Sequence, residues 1–197
     1  METHILPQRY SVRALGEGDL AAILALCAGN PLFFRYHPPR ATRQSILRDM
    51  AALPPGKTMA DKHYLGFFTA EEPPRLAAVL DLIAGWPRPE VAFIGLFMVA
   101  GPLQGRGVGS AILASCLDRL AAQGFARVRL AVDEGNPQSA AFWQKNGFAF
   151  TGERQPCPAG AYLPMERALK TAAHGPAGEM GGTTDADGGT HPAAAGG

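Results

Sequence analysis

The sequence predicts an α/β (α+β) fold: a mixed, mostly antiparallel central sheet that contains one parallel pair of strands. Three observations predict it. Residues 63–99 read as three consecutive strands joined by tight turns, which is the pattern of an antiparallel run. Residues 91–132 read as strand, glycine turn, amphipathic helix, strand. Such a unit makes its two strands parallel, with a right-handed crossover. Ahead of both, residues 19–53 carry two helical stretches behind a single short strand.

Each element follows from its pattern. "RYSVRAL" (9–15) alternates Tyr10, Val12 and Ala14 on one face, a first strand. Asp19 can cap a helix whose Leu20, Ile23, Leu24 and Cys27 share one side, and Gly29-Asn30-Pro31 stops it. "LFFRYHPPR" (32–40) reads as an irregular segment rich in aromatics. "ATRQSILRDMAAL" (41–53) is a second helix with Thr42 as its cap, ended by Pro54-Pro55-Gly56. "HYLGFFTA" (63–70) and "RLAAVLDLIAGW" (75–86) form a hairpin around "EEPP", and "VAFIGLFMV" (91–99) is apolar throughout, as a strand in a sheet centre would be. Ile112, Leu113, Cys116, Leu117 and Leu120 then form an amphipathic stripe that stops at Gly124. "ARVRLAV" (126–132) is a strand with one wet face. "NPQSAAFWQKN" (136–146) is a short helix capped by Asn136 with Pro137 in its first position. "FAFTG" begins another strand, and "YLPMERAL" (162–169) reads as an edge strand because Pro164 argues against a central place.

Composition narrows the classes. At 197 residues and 47% hydrophobic, the chain suits one soluble domain with a real core. A net charge of +1 offers no field for nucleic acid. Three cysteines, Cys27, Cys116 and Cys157, match no metal spacing, so no metal is expected, and a reducing, cytoplasmic setting suits them. The N-terminus lacks a signal-peptide apolar core, and no run approaches the ~20 residues that span a bilayer, so no membrane role is expected. From residue 171 the last 27 residues hold eight Gly, seven Ala and no aromatic. Such a segment cannot offset its ordering entropy by burial. The domain is therefore read as 1–170 and residues 171–197 as a disordered Gly/Ala-rich tail, with His174 and His191 as exposed filler rather than ligands.

The glycine turn carries the chemistry. A strand that ends in glycines and enters a helix aims backbone N–H groups at one spot, where the helix dipole adds positive charge. Gly105, Gly107 and Gly109 let an anion approach without meeting a Cβ. The cluster alone also fits an ordinary tight turn. A P-loop would need Lys-Ser/Thr after the last glycine, and Ser110-Ala111 stands there. The dinucleotide pattern misses its third glycine by one place, yet Asp133 and Glu134 stand where a ribose-binding acid would, so an NAD(P)-binding oxidoreductase stays open.

Two motifs in order go further. "VAFIGLFMVAGPLQGRGVGSAIL", with Gln104-Gly105-Arg106-Gly107-Val108-Gly109, is followed by "NPQSAAFWQKNGF", with Asn136, Trp143, Lys145, Gly147 and Phe148. Together they resemble the GNAT superfamily of N-acetyltransferases over residues 9–169. The resemblance implies a central sheet of six to seven strands with helices on both faces, its parallel pair splayed at the centre near Val99 and Val132. It implies transfer of an acetyl group from acetyl-CoA directly to the primary amine of a small molecule or peptide. It also allows a homodimer, or a non-catalytic acyl-CoA sensor. Carried over by residue, Phe97, Met98 and Val99 would pair with the pantetheine arm. The amides from Gln104 through Gly105, Arg106, Gly107, Val108 and Gly109 to Ser110 would hold the pyrophosphate. Asn136 would bond the arm, and Phe142 and Trp143 would line the cofactor side.

The residues that would move protons depart from the family. Trp143 stands seven residues after Asn136, where many relatives carry an acidic Tyr. An indole N–H donates a hydrogen bond but is no practical acid. Phe93 stands eleven residues before Gln104, where some relatives carry a Glu base. The substitutes are Asp81, Glu90 and Tyr162 as catalytic candidates, and Phe34, Tyr36 and His37 as an acceptor-binding segment, with His37 and Tyr36 also able to exchange protons. Asp81 sits inside an apolar strand, where a carboxylate without a partner is costly. It is therefore either a base or anchor at the site, or a satisfied structural carboxylate.

Overall fold

The computed structural model describes residues 10–158 and 160–170. The tail from 171 onward, with His174 and His191, lies outside them. Eight strands form one sheet: β1 Tyr10–Ala14, β2 Lys62–Thr69, β3 Leu76–Ala84, β4 Val91–Val99, β5 Arg127–Asp133, β6 Ala149–Phe150, β7 Gln155–Cys157 and β8 Gly160–Ala168. The order is β1-β2-β3-β4-β5-β8-β6, with β7 paired to β8 beside it. Every pairing is antiparallel except β4 with β5. The predicted mixed sheet with one parallel pair is therefore the observed one. The strand count exceeds six to seven because β7, three residues long, gives no periodicity to read.

Helices cover both faces. They are α1 Leu20–Ala28, α2 Pro31–Tyr36, α3 Arg43–Ala51, α4 Val108–Ala122 and α5 Pro137–Lys145. On one face Ile112, Leu113, Leu117 and Leu120 of α4 meet Ala92, Ile94, Val128 and Leu130. Full burial of each such side chain is worth about 1.5–3 kcal/mol. On the other face Leu20, Ile23 and Cys27 of α1 and Ile46 of α3 pack on Tyr64, Phe68, Val79 and Met98. β4 is covered on both sides, which is why its sequence is apolar throughout. Among the described residues no helix is long and apolar enough to cross a membrane.

Three local readings change. The first part of the segment read as irregular is the helix α2, which Pro31 starts at its first position. Asp19 precedes α1 but its side chain makes no capping hydrogen bond to that helix. Instead its carboxylate holds Arg13 (2.7 and 2.9 Å) and the Gly16 N–H. β8 is not an edge: it lies between β5 and β6. Pro164 is tolerated because the carbonyl and nitrogen of one strand residue face the same side. Its carbonyl accepts from Thr151 N–H (3.0 Å), so the missing donor points between the short strands β6 and β7, not at β5.

Candidate functional site

The parallel pair opens partway along its length. β4 and β5 are in register only from Val91–Arg127 to Ile94–Leu130. Beyond that point β4 carries an extra residue, because Asp81 faces Leu96 while Leu82 faces Ile94. Gly95 is left over as a bulge, and a bulge bends its strand and ends pairing. A Cβ at Gly95 would come 2.9 Å from Asp81 Oδ2, so only glycine fits. The edge of β4 from Leu96 onward and the end of β5 thus border a gap.

The glycine turn closes one end of that gap. Gly105 and Gly107 have φ of +71° and +78°, a region that side-chain-bearing residues enter at a cost. Gly109 is in helical conformation but has no room: a Cβ there would meet Phe142 and Val99 at 3.2 Å. Among the described residues the N–H groups of 105–110 find no backbone acceptor. They are the free donors expected at the start of a helix.

Gap and turn together form a cleft of about 310 Å³. Phe97, Met98 and Val99 line it, as do Gln104, Gly105, Gly107, Gly109 and Ser110 of the turn, and Asn136 and Phe142. Arg106, Val108 and Trp143 do not. Arg106 is exposed, and Val108 packs toward the core. Trp143 is 6% exposed and edge-on to Phe142 and Phe148 in the core behind the cleft. Its place on the cofactor side is corrected to a support for Phe142. Asn136 is buried and caps α5, accepting from Ser139 N–H (3.1 Å), and its Nδ2 has no partner among the described residues.

Sequence reasoning missed a clasp. Asn30 Nδ2 donates to Leu26 O (2.8 Å) and Val99 O (3.3 Å), while Gln104 Nε2 donates to Asn30 Oδ1 (2.5 Å) and Val99 O (2.9 Å). The signature Gln104 thus ties the turn to the end of β4 and to the α1–α2 junction. Asn30 and Phe33 also line the cleft. Asn30 reads only as part of a helix stop and Phe33 as part of an irregular aromatic segment, and the partners of Asn30 at Val99 and Gln104 lie some seventy residues away.

The other candidates separate. Glu90 precedes β4 and pairs with Arg88 at 2.9 Å. It lies at the opposite end of the strand, roughly 23 Å of extended chain from Phe97 in the cleft, and is dropped as a base. Asp81 is buried with Lys62, whose Nζ is 2.9 Å from both carboxylate oxygens and also donates to Ala52 O. Burial pushes the Asp81 carboxyl up, against the pull of Lys62. It is a structural carboxylate, ion-paired with Lys62 through a hydrogen bond to Oδ2, while its buried Oδ1 has no hydrogen-bond partner among the described residues, and it is seated under the bulge. Phe34 packs against the α1 core and edge-on to Phe33, and Tyr36 is half-buried. His37, at the end of α2, places Nδ1 3.0 Å from Oδ1 of Asp133. Tyr162, the third residue of β8, stands opposite Asp133, its ring 6.2 Å from that of His37, and burial raises its hydroxyl pKa. The structure therefore brings His37, Asp133 and Tyr162 together at the end of β5.

Asp133 and Glu134 are both engaged, Glu134 by Arg154 at 2.7 Å, and β5 leads to an antiparallel strand rather than another βαβ unit. The dinucleotide-binding reading falls with that. Among the described residues no group of three or more His, Cys, Asp or Glu could hold a metal ion.

The comparisons agree with this geometry. An acetyltransferase from Thermus thermophilus superposes with a TM-score of 0.64 at 20% identity, over 82% of this chain and 97% of that one. A GCN5-related N-acetyltransferase from Kribbella flavida gives 0.57 at 25% identity, over 83% and 99%. A spermidine N-acetyltransferase from Vibrio cholerae, solved with CoA and spermine, gives 0.62 at 17%, over 83% and 98%. No curated protein sequence matches the chain. The acetyltransferase (GNAT) family pattern matches residues 31–148, more than half of the chain and every cleft-lining residue except Asn30. The chain belongs to the GNAT family of acetyltransferases, enzymes that use acetyl-CoA.

Proposed function

We propose that this acetyltransferase seats acetyl-CoA in the gap between β4 and β5 and passes the acetyl group directly to a primary amine arriving from the α1–α3 face. The observation that carries the reading is the run of free N–H groups at 105–110 facing a gap between two splayed parallel strands. The residues fit the cosubstrate. The N–H groups and the α4 dipole suit a pyrophosphate. The edge of β4 beyond the bulge can pair with an amide-bearing arm as a strand would. Asn136 Nδ2 is a further donor, and Phe142 gives the arm an apolar wall. When bound, acetyl-CoA supplies an acetyl group activated as a thioester. The chain's own part is to position it, to offer an N–H to the carbonyl oxygen as charge develops, and to exclude water.

A primary amine as acceptor is consistent with the Vibrio cholerae neighbour, whose structure holds spermine. The remaining assignments are the domain at 1–170, a cytoplasmic setting and a soluble amine or peptide as partner. The test is calorimetry with coenzyme A and acetyl-CoA, followed by thiol release across polyamines, amino acids, peptides and aminoglycosides. Binding with thiol release on at least one acceptor is expected. Failure to bind acetyl-CoA while NAD or NADP binds would refute it.

A further inference from the structure

We propose that His37 is the base that takes the proton of the acceptor amine, with Asp133 as its positioning residue; the proposal rests on the cofactor reading above. Val128, Leu130 and Val132 of β5 face the α4 core, so Asp133 faces the other way, toward α1–α3. Asp133 is nonetheless joined to the cleft, because its carbonyl accepts from the N–H of Asn136 (3.1 Å), which lines it. His37 is joined to the cleft from the other side. Its ring is 5.2 Å from that of Phe33, which also lines the cleft. The pair therefore stands at the mouth of the gap, on the face away from α4, where an acceptor can enter.

The geometry suits a base. The Asp133 side chain is 12% exposed and that of His37 is 45% exposed, so the carboxylate is enclosed while the imidazole meets solvent. Asp133 Oδ1 accepts a hydrogen bond from the Nδ1–H of His37, which fixes the tautomer and leaves the Nε2 lone pair free. Among the described residues Nε2 has no hydrogen-bond partner. The groups around the ring are Asp133 from β5, Asp49 from α3, Tyr162 from β8, and Arg35 and Tyr36 on its own helix. The bond to Asp133, opposed by desolvation and helped by the charges of Asp133 and Asp49, holds the imidazole above its usual 6.5. A base so raised needs a somewhat higher pH to be free, and is stronger once free.

The step balances without a further reagent. The amine lone pair forms a C–N bond to the thioester carbonyl carbon. The proton on that nitrogen passes to Nε2. The C–S bond breaks with its electron pair going to sulfur, which leaves as thiolate, and the imidazolium returns its proton to water.

The test uses the full chain with acetyl-CoA, benzylamine and glycinamide as probe amines, and free thiol as readout. His37→Asn keeps a donor toward Asp133 but has no base. Expected are unchanged folding, coenzyme A affinity within about twofold, turnover lower by about a hundredfold or more, and loss of the acid limb of the pH profile. Asp133→Asn keeps an acceptor and loses the charge, and is expected to move that limb to lower pH. Turnover of His37→Asn within about threefold of the parent, or an acid limb unmoved by both substitutions, overturns the proposal. Should neither probe amine turn over, the ¹³C-labelled imidazole is titrated with coenzyme A bound. A midpoint above 6.5 with the proton on Nδ1 supports the assignment, and a midpoint at or below it, or the other tautomer, overturns it. Failure of the parent to bind coenzyme A strikes the cofactor reading instead.

Discussion

Replacing Lys62 with Met would leave the Asp81 carboxylate buried under the β4 bulge with no cation beside it. The Lys62 side chain is 2% exposed and that of Asp81 12%, so little water could replace the lost partner. Removing one member of a buried pair costs about 3–5 kcal/mol. Domains hold only about 5–15 kcal/mol in all, so about a fifth or more of the stability is at stake. At about 2–4 °C per kcal/mol for a chain of this size, the thermal midpoint should fall by about 6–20 °C. The cost should also depend on pH. The folded-state carboxyl already titrates above its unfolded value, through burial, and losing Lys62 raises it further. A raised carboxyl means that the folded state binds more protons than the unfolded state. Stability is therefore lost as pH rises through the folded pKa, and the gap between mutant and parent should narrow as pH falls from neutral toward the unfolded-state carboxyl value. The assay is urea unfolding at several pH values, followed by two optical probes. The double change Lys62→Met/Asp81→Leu removes both charges and should recover most of the loss. A single mutant within about 1 kcal/mol of the parent, or a double mutant as unstable as the single, would refute the reasoning.

Two further outcomes follow from the cleft. Gly107→Ala places a side chain at φ +78°, with nothing within 4 Å to clash, so its cost of about 1–2 kcal/mol is conformational. Gly124→Ala, at φ +90° beyond the end of α4, carries the same strain away from the cleft. Both should lower the midpoint alike, but only Gly107→Ala should weaken coenzyme A binding, by about tenfold in calorimetry. Equal affinities in the two variants would deny the turn its role. Trp143→Phe should cost about 1–2 kcal/mol of packing and leave kcat within about threefold. A loss beyond about a hundredfold with folding intact would make Trp143 a participant in the chemistry.

The sequence by itself determined the sheet class, the parallel pair and the glycine turn, because each is written in local spacing. Period-two alternation marks β1 and β5, the unbroken apolar run Val91–Val99 marks β4, the stripe from Ile112 to Leu120 marks α4, and Asn136-Pro137 marks the start of α5. The glycines at 105, 107 and 109 were legible as a strand-to-helix turn, although not for a single reason: two supply left-handed backbone, and the third supplies space for Phe142 and Val99. What escaped were relations between distant segments. Whether Asp81 was a base or a buried anchor depended on Lys62, nineteen residues earlier on a neighbouring strand. Pro164 looked like an edge residue until the gap between β6 and β7 accounted for its missing donor. Only the tertiary structure put His37 beside Asp133, ninety-six residues on. Local spacing encodes backbone conformation and which face is apolar. The pairing of two charged side chains depends instead on how the strands order and the helices dock, and no short window of sequence contains that information.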